Sequence, residues 1–192
     1  MTTVRDYLEA LVDDARDWSE SRSPWGRLPL YLYLVYAGVR HLFDPMYRSW
    51  FAGLTLILHE LGHLLFSMFG QTLMLLGGSL TQLAAPAFVA LYLLFVQRDW
   101  FGLVVGASWL AFSTWELATY VGDANKNQLA LVGMGDKVLH DWDTLLTRWH
   151  LLNHCGTFAT LLRGGASLLF AAAMGFGGWV LWRMFRTSRG VA

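Results

Sequence analysis

Cysteine is almost missing from this chain of 192 residues: Cys155 stands alone. That excludes an intramolecular disulfide framework and a cysteine-rich zinc ribbon, and leaves Cys155 as a small packing residue. Charge is scarce too. Lys, Arg, Asp and Glu make up 15% of residues, against about a quarter in an average soluble domain. The 14 basic and 14 acidic residues cancel, which excludes a strongly basic nucleic-acid binder and an acidic disordered tail. There is no internal repeat and no low-complexity tract. The chain starts without the basic, then apolar, pattern of a secretory signal.

What is present is apolar and aromatic. Hydrophobic residues reach 55%, with Trp 10, Tyr 7 and Phe 12, and the mean hydropathy is +0.40. These values point to lipid as the surrounding medium. Placement sharpens the point, because between Ser49 and Gln97 the only formally charged residue is Glu60. A hydrocarbon core about 30 Å thick takes roughly 20 apolar residues per helix. The stretch therefore holds two crossings, Trp50–Phe69 and Leu73–Gln97, broken at Gly70-Gln71-Thr72. Phe101–Val121 and Gly164–Phe185 read as further spans. Pro29–Phe43 is shorter, a tilted or re-entrant piece ending in Arg40 and His41, with His41 expected at the interface.

The fold class expected is therefore all-α: a polytopic membrane helix bundle of about five spans, with four or six as alternatives. Five spans would put the chain ends on opposite faces. Trp50 and Trp100 fall at span ends, where amphipathic rings belong. Gly77-Gly78, Gly164-Gly165 and Gly177-Gly178 are expected to let helices pack closely.

Two polar regions flank this apolar mass. Residues 1–28 form an amphipathic helix, with Val4, Leu8, Leu11, Ala15 and Trp18 opposite Asp6, Glu9, Asp13 and Asp17. Its acidic face suits a protein partner, or packing on the protein's own membrane domain, residues 29–192, better than anionic lipid. Within that domain, residues 122–157 form a polar loop between the last two spans. The loop carries Asp123, Asp136, Lys137, His140, Asp141, His150 and His154, and Asp143–Leu152 reads as a short helix. A loop this long on a small membrane protein usually carries function.

His59-Glu60-Leu61-Gly62-His63 is an H-E-x-x-H motif inside an apolar helix. Residues i and i+4 share a face, so both imidazoles can reach one Zn²⁺, with Glu60 beside the first of them placed to deprotonate water. Ionisable groups within a membrane are functional by default; the bland alternative is a buried polar cluster that glues helices together. In its membrane setting the motif resembles the site-2-protease type of intramembrane zinc metalloprotease. The resemblance implies His59 and His63 as zinc ligands, Glu60 as general base, peptide-bond cleavage within the bilayer, and a third ligand from an Asp on a later helix. Where that family has Asp-Gly, this chain has Gly122-Asp123. A wider stretch, about residues 50–155, resembles a group of uncharacterised bacterial integral membrane proteins. The residues concerned are the His-Glu-x-Gly-His itself, Gly77-Gly78-Ser79, Gln82, Pro86, Tyr120, Asp123-Ala124 and His140-Asp141-Trp142. This likeness implies a shared fold and polar site, and a bacterial inner (cytoplasmic) membrane.

Depth along the helices ranks candidates for the third ligand. With a rise of about 1.5 Å per residue, His59 lies about 15 Å along its span, Glu116 about 22 Å and Asp123 about 33 Å along theirs. Gln82 comes out level with His59, able to hold a ligand or a substrate carbonyl. Glu116, Tyr120 and Asp123 share one face. His140 is a third candidate, and Asp141 an outer partner that orients a ligating imidazole; both reach the site only if the loop folds back into the bundle. His150 and His154 are read as surface residues. Pro86, downstream of Gly77-Gly78, implies a kink, or a partly unwound stretch over 77–86; the resemblance to site-2 proteases implies that such a stretch would hold a substrate strand.

Three functions fit these residues. The first is a zinc-dependent intramembrane hydrolase acting on membrane-embedded peptides. The second is a non-catalytic subunit of a larger membrane complex, partnered by neighbouring subunits, with the H-E-x-x-H site structural or vestigial. The third is a channel or transporter using Glu60, Glu116 and Asp123, for which no paired repeat halves are found.

Overall fold

Residues 3–130 and 139–188 are described by a computed structural model of the chain. Asp136, Lys137 and Arg189 lie outside the described residues. All regular structure among the described residues is helical, in the order α1 Val4–Glu20, α2 Leu28–Phe43, α3 Ala52–Phe66, α4 Gln71–Phe95, α5 Trp100–Asp123, α6 Asp141–Arg148 and α7 Cys155–Ser188. The helix ends follow local chemistry. A capping box opens α1: Thr3 Oγ1 accepts from the Asp6 amide and the Asp6 carboxylate accepts from the Thr3 amide. The carboxylate of Asp99 caps α5 by accepting from the amides of Phe101 and Gly102. Between α3 and α4 the chain reverses at Gly70, whose φ of +88° suits a residue without Cβ.

Four helical segments are long and apolar enough to cross a membrane, at 52–69, 71–95, 100–123 and 152–188. The protein is an integral membrane helix bundle. With 16 residues, α2 is too short to join them by length. It nevertheless packs inside the bundle, with Leu34 and Ala37 in a core shared with Phe112, Trp115 and Phe170. His41 is buried there rather than at the interface, its ring stacked on Phe112 at 5.2 Å and Trp115 at 5.4 Å.

The chain ends lie on the same side of the bundle, not on opposite sides. Arg183 near the end of α7 pairs with Glu20 at 2.6 Å, and Trp25 meets Phe185 edge-on. The path between α2 and α3 explains it. The chain leaves α2 at the level of Thr119, whose hydroxyl donates to the Pro45 carbonyl. It then doubles back, stacking Trp50 on Tyr33 at 3.8 Å and Phe51 on Trp109 at 5.7 Å. Trp109 sits about 13 Å along α5, so α3 starts partway through the bundle. The amphipathic α1 does pack on the bundle itself, with Ala15 and Trp18 against Val180, Leu181 and Met184 of α7.

Two of the three glycine pairs make close contacts. A Cβ on Gly77 would lie 2.6 Å from the Gly62 carbonyl oxygen, and one on Gly177 would lie 2.8 Å from Val104. Gly164 and Gly165 have nothing within 4 Å and make no such contact. Across 77–86 the backbone stays helical, with Pro86 inside α4, so no unwound strand forms there; losing one backbone hydrogen bond at a proline is tolerated when the flanking turns are packed.

Gly77→Val should therefore destabilise the α3–α4 contact by about 1–3 kcal/mol through overpacking, while Gly164→Val should have almost no effect. Thermal unfolding midpoints of the two variants in detergent check this.

Candidate metal centre

His59 and His63 lie one turn apart on α3 and face α4, their rings 4.7 Å apart and nearly perpendicular. Helix α4 can come this close because Gly78 lies against both: a Cβ there would sit 2.7 Å from each Nε2. Gln82 lies one turn further along α4, where its depth predicted it. Its Nε2 donates to the Ser113 carbonyl at 2.9 Å, which turns its Oε1 toward His59 Nδ1 at 2.9 Å. The amide oxygen can only accept, so His59 carries its proton on Nδ1. His63 Nδ1 lies 2.8 Å from the Met74 carbonyl, another pure acceptor, and is assigned the same tautomer. Each neutral imidazole thus presents a bare Nε2.

The two bare nitrogens converge on a carboxylate. Asp141 Oδ2 is 3.1 Å from His59 Nε2 and 3.2 Å from His63 Nε2. His59, His63 and Asp141 form the group whose donor atoms all lie within 4.8 Å of one another. Burial alone pushes the Asp141 carboxyl up; N–H donation and positive charge at the His59 and His63 Nε2 atoms outweigh it and draw the group down to about 2, so its ionised form goes with a cation at those two nitrogens. Three lone-pair atoms facing one another repel unless a cation lies between them. That cation is either a proton on each Nε2, giving two imidazolium rings at membrane depth, or a metal ion. Ligand atoms around a tetrahedral zinc with bonds of about 2.0–2.1 Å are about 3.3 Å apart, close to the two distances from Asp141 Oδ2 to the imidazole nitrogens. The donor set, its second-atom hydrogen bonds and its spacing fit zinc.

Asp141 arrives from the polar loop, which folds back into the bundle. Its backbone amide donates to Tyr120 Oη at 2.9 Å, and Tyr120 Oη donates to its Oδ2 at 3.1 Å. Trp142 Nε1 donates to Ser79 Oγ at 3.0 Å, and Arg148 donates to Gln71 and Thr72 at 2.7 Å. Leu145 and Leu146 are buried beneath. The short helix begins two residues before the predicted Asp143, and that offset places Asp141 in its first turn.

The remaining candidates fall elsewhere. Asp123 accepts from the amides of Gln128 and Leu129 and ties down the start of the loop. His140 caps α6, its Nδ1 accepting from the Asp143 amide, with its ring stacked on Tyr120 at 4.3 Å; burial lowers its basicity. Glu116 lines the same cleft as the two histidines and Asp141 but is not among the donors that converge there. His150 and His154 are exposed. So the geometry brings Asp141 to the two histidines, and not Asp123, Glu116 or His140. Sequence reasoning missed the part Tyr120 plays and the fit of Gly78 against the rings. The tyrosine's register with Glu116 was the available signal for the first.

Beside the centre lies a cleft of about 560 Å³, lined by residues of α3 and α5, by Met74, Leu75 and Gln82 of α4 and by residues 45–48. Glu60 and Tyr120 open onto it together with His59, His63 and Asp141. No protein-family model, curated protein or solved structure matches the chain.

Tyr120→Phe removes both hydrogen bonds between Tyr120 and Asp141 in the first turn of α6. Docking of α6 should weaken by about 1–3 kcal/mol, read as faster amide hydrogen exchange over Asp141–Arg148. Exchange there should be unchanged by Thr147→Ala, at an exposed position.

Proposed function

We propose that this integral membrane protein is a zinc-dependent intramembrane hydrolase, a site-2-protease-like peptidase acting on membrane-embedded peptides in a bacterial inner membrane. The observation that carries the reading is the convergence of His59 Nε2, His63 Nε2 and Asp141 Oδ2, both imidazoles having their Nδ1 protons already committed. Three protein ligands with a neighbouring open cleft match a catalytic rather than a structural zinc site, which is closed by four. A zinc ion held there supplies Lewis-acid polarisation of a carbonyl and of water.

The chain's own residues do the rest. Glu60, next to His59 and facing the cleft, takes a proton from the attacking water. The water oxygen bonds to the scissile carbonyl carbon, the C–N bond breaks, and the proton passes from Glu60 to the leaving nitrogen. Gln82 and the Met74 carbonyl keep the imidazoles turned inward, and Tyr120 keeps Asp141 in place. The cleft is lined by helices of the bundle, which suits a substrate already in the membrane.

Purified protein should contain one zinc per chain. Glu60→Gln should retain that zinc and lose cleavage of a membrane-embedded reporter peptide; undiminished cleavage overturns the hydrolase, and a protein with neither zinc nor another cofactor favours the non-catalytic subunit. The ligand assignment is checked separately by metal titration. Asp141→Asn should weaken zinc binding at least tenfold, while Asp123→Asn should leave it within about threefold.

A further inference from the structure

Glu116 is a carboxylate the fold does not use. It lines the cleft from α5, and its Oε1 is fully buried with no hydrogen-bond partner among the described residues. In a helix at membrane depth such a group is costly, and no hydrogen bond among the described residues offsets it at Oε1; the charge of Arg48 acts on it from a distance. Across the same cleft lies Arg48, on the segment that doubles back between α2 and α3. It is exposed and is the only Lys or Arg among the cleft-lining residues. Neither side chain enters the metal centre.

The pair is complementary to one kind of ligand. A lone cationic side chain would be attracted by Glu116 and repelled by Arg48, and a lone anion the reverse. An extended peptide backbone carries both a donor and an acceptor, and in lipid these groups have no water to satisfy them. A peptide must lose its helical hydrogen bonds around the bond to be cut, so its N–H and C=O groups need partners just there.

Building on the hydrolase reading, we propose that Glu116 and Arg48 form a main-chain subsite, Glu116 accepting from a substrate N–H and Arg48 donating to a substrate C=O. Glu116 precedes Tyr120 by one turn, about 6 Å along the helix axis, and Tyr120 touches Asp141. An extended chain advances about 3.3 Å per residue, which puts the subsite about two residues from the bond being cut. Recognition there reads the unwound state of the peptide, not its side chains.

The test uses the full chain in nanodiscs, carrying Glu60→Gln so that cleavage does not interfere. The probe is a dye-labelled polyleucine transmembrane peptide with a central Gly-Gly pair, its binding read by energy transfer. Glu116→Leu and Arg48→Met should each weaken binding about tenfold or more, about 1.4 kcal/mol, with zinc content unchanged. Glu116→Leu should also unfold at the same or a higher temperature, since it removes a buried carboxylate that has no partner. A probe N-methylated within two residues of the Gly-Gly pair should bind the parent as weakly as the unmodified probe binds Glu116→Leu. Undiminished binding by Glu116→Leu, a lowered unfolding temperature with binding intact, or no binding by the parent overturns the subsite. Binding without cleavage by the chain that retains Glu60 upholds the subsite and overturns the hydrolase. Cleavage with an unchanged KM in Glu116→Leu does the opposite.

Discussion

Where water is absent, the side-chain amide of Gln82 has two ways to face, and the Ser113 carbonyl excludes one of them. With the nitrogen committed to that carbonyl, the oxygen turns to His59, the His59 proton stays on Nδ1, and Nε2 is left bare. One backbone carbonyl on α5 thereby sets the tautomer of a side chain on α3, through a side chain on α4. The Met74 carbonyl does the same for His63 more directly. In water these preferences would be soft, because solvent could serve any orientation; at low dielectric a mismatched pair of acceptors is expensive. The pair of inward-facing imidazole nitrogens is thus an outcome of hydrogen-bond accounting across three helices.

That accounting works only if the helices are close enough, and close approach here depends on missing side chains. Gly62 and Gly77 let the α3 and α4 backbones touch, and Gly78 leaves room for both imidazole rings. Alanine at any of the three would force a shift, since the nearest atoms are backbone or ring atoms held on their far side. Packing and chemistry share these positions, so the same residues serve stability and the site.

Much of this architecture was legible beforehand. Charge vanishing from residues 49–97 apart from Glu60 located the membrane helices and the centre of the motif together. A fixed rise per residue put Gln82 level with His59. The source of the third donor was harder to read. Depth arithmetic works along straight helices, and it ranked Glu116 and Asp123 on α5. Asp141 reaches the centre by another route: a polar loop returns between helices, held by Trp142, Arg148 and two buried leucines. No periodicity reports such a fold-back, because each anchor is a single long-range contact. The start of α3 was hidden for a similar reason, since Trp50 read as an interface aromatic at a span end, while it stacks on Tyr33 and the adjacent Phe51 packs on Trp109 partway along α5.

The separation of the donors along the chain has a consequence for how the molecule comes into being. His59 and His63 are translated some 80 residues before Asp141, which lies 82 positions after His59. During synthesis the two imidazoles enter the bilayer with their partner still unmade. The carboxylate joins them only when α5 is in place to offer Tyr120 and when the loop has turned back. A chain that stops before the loop therefore carries the motif but not the three converging donors, which come together only once α5 and the loop after it have been made.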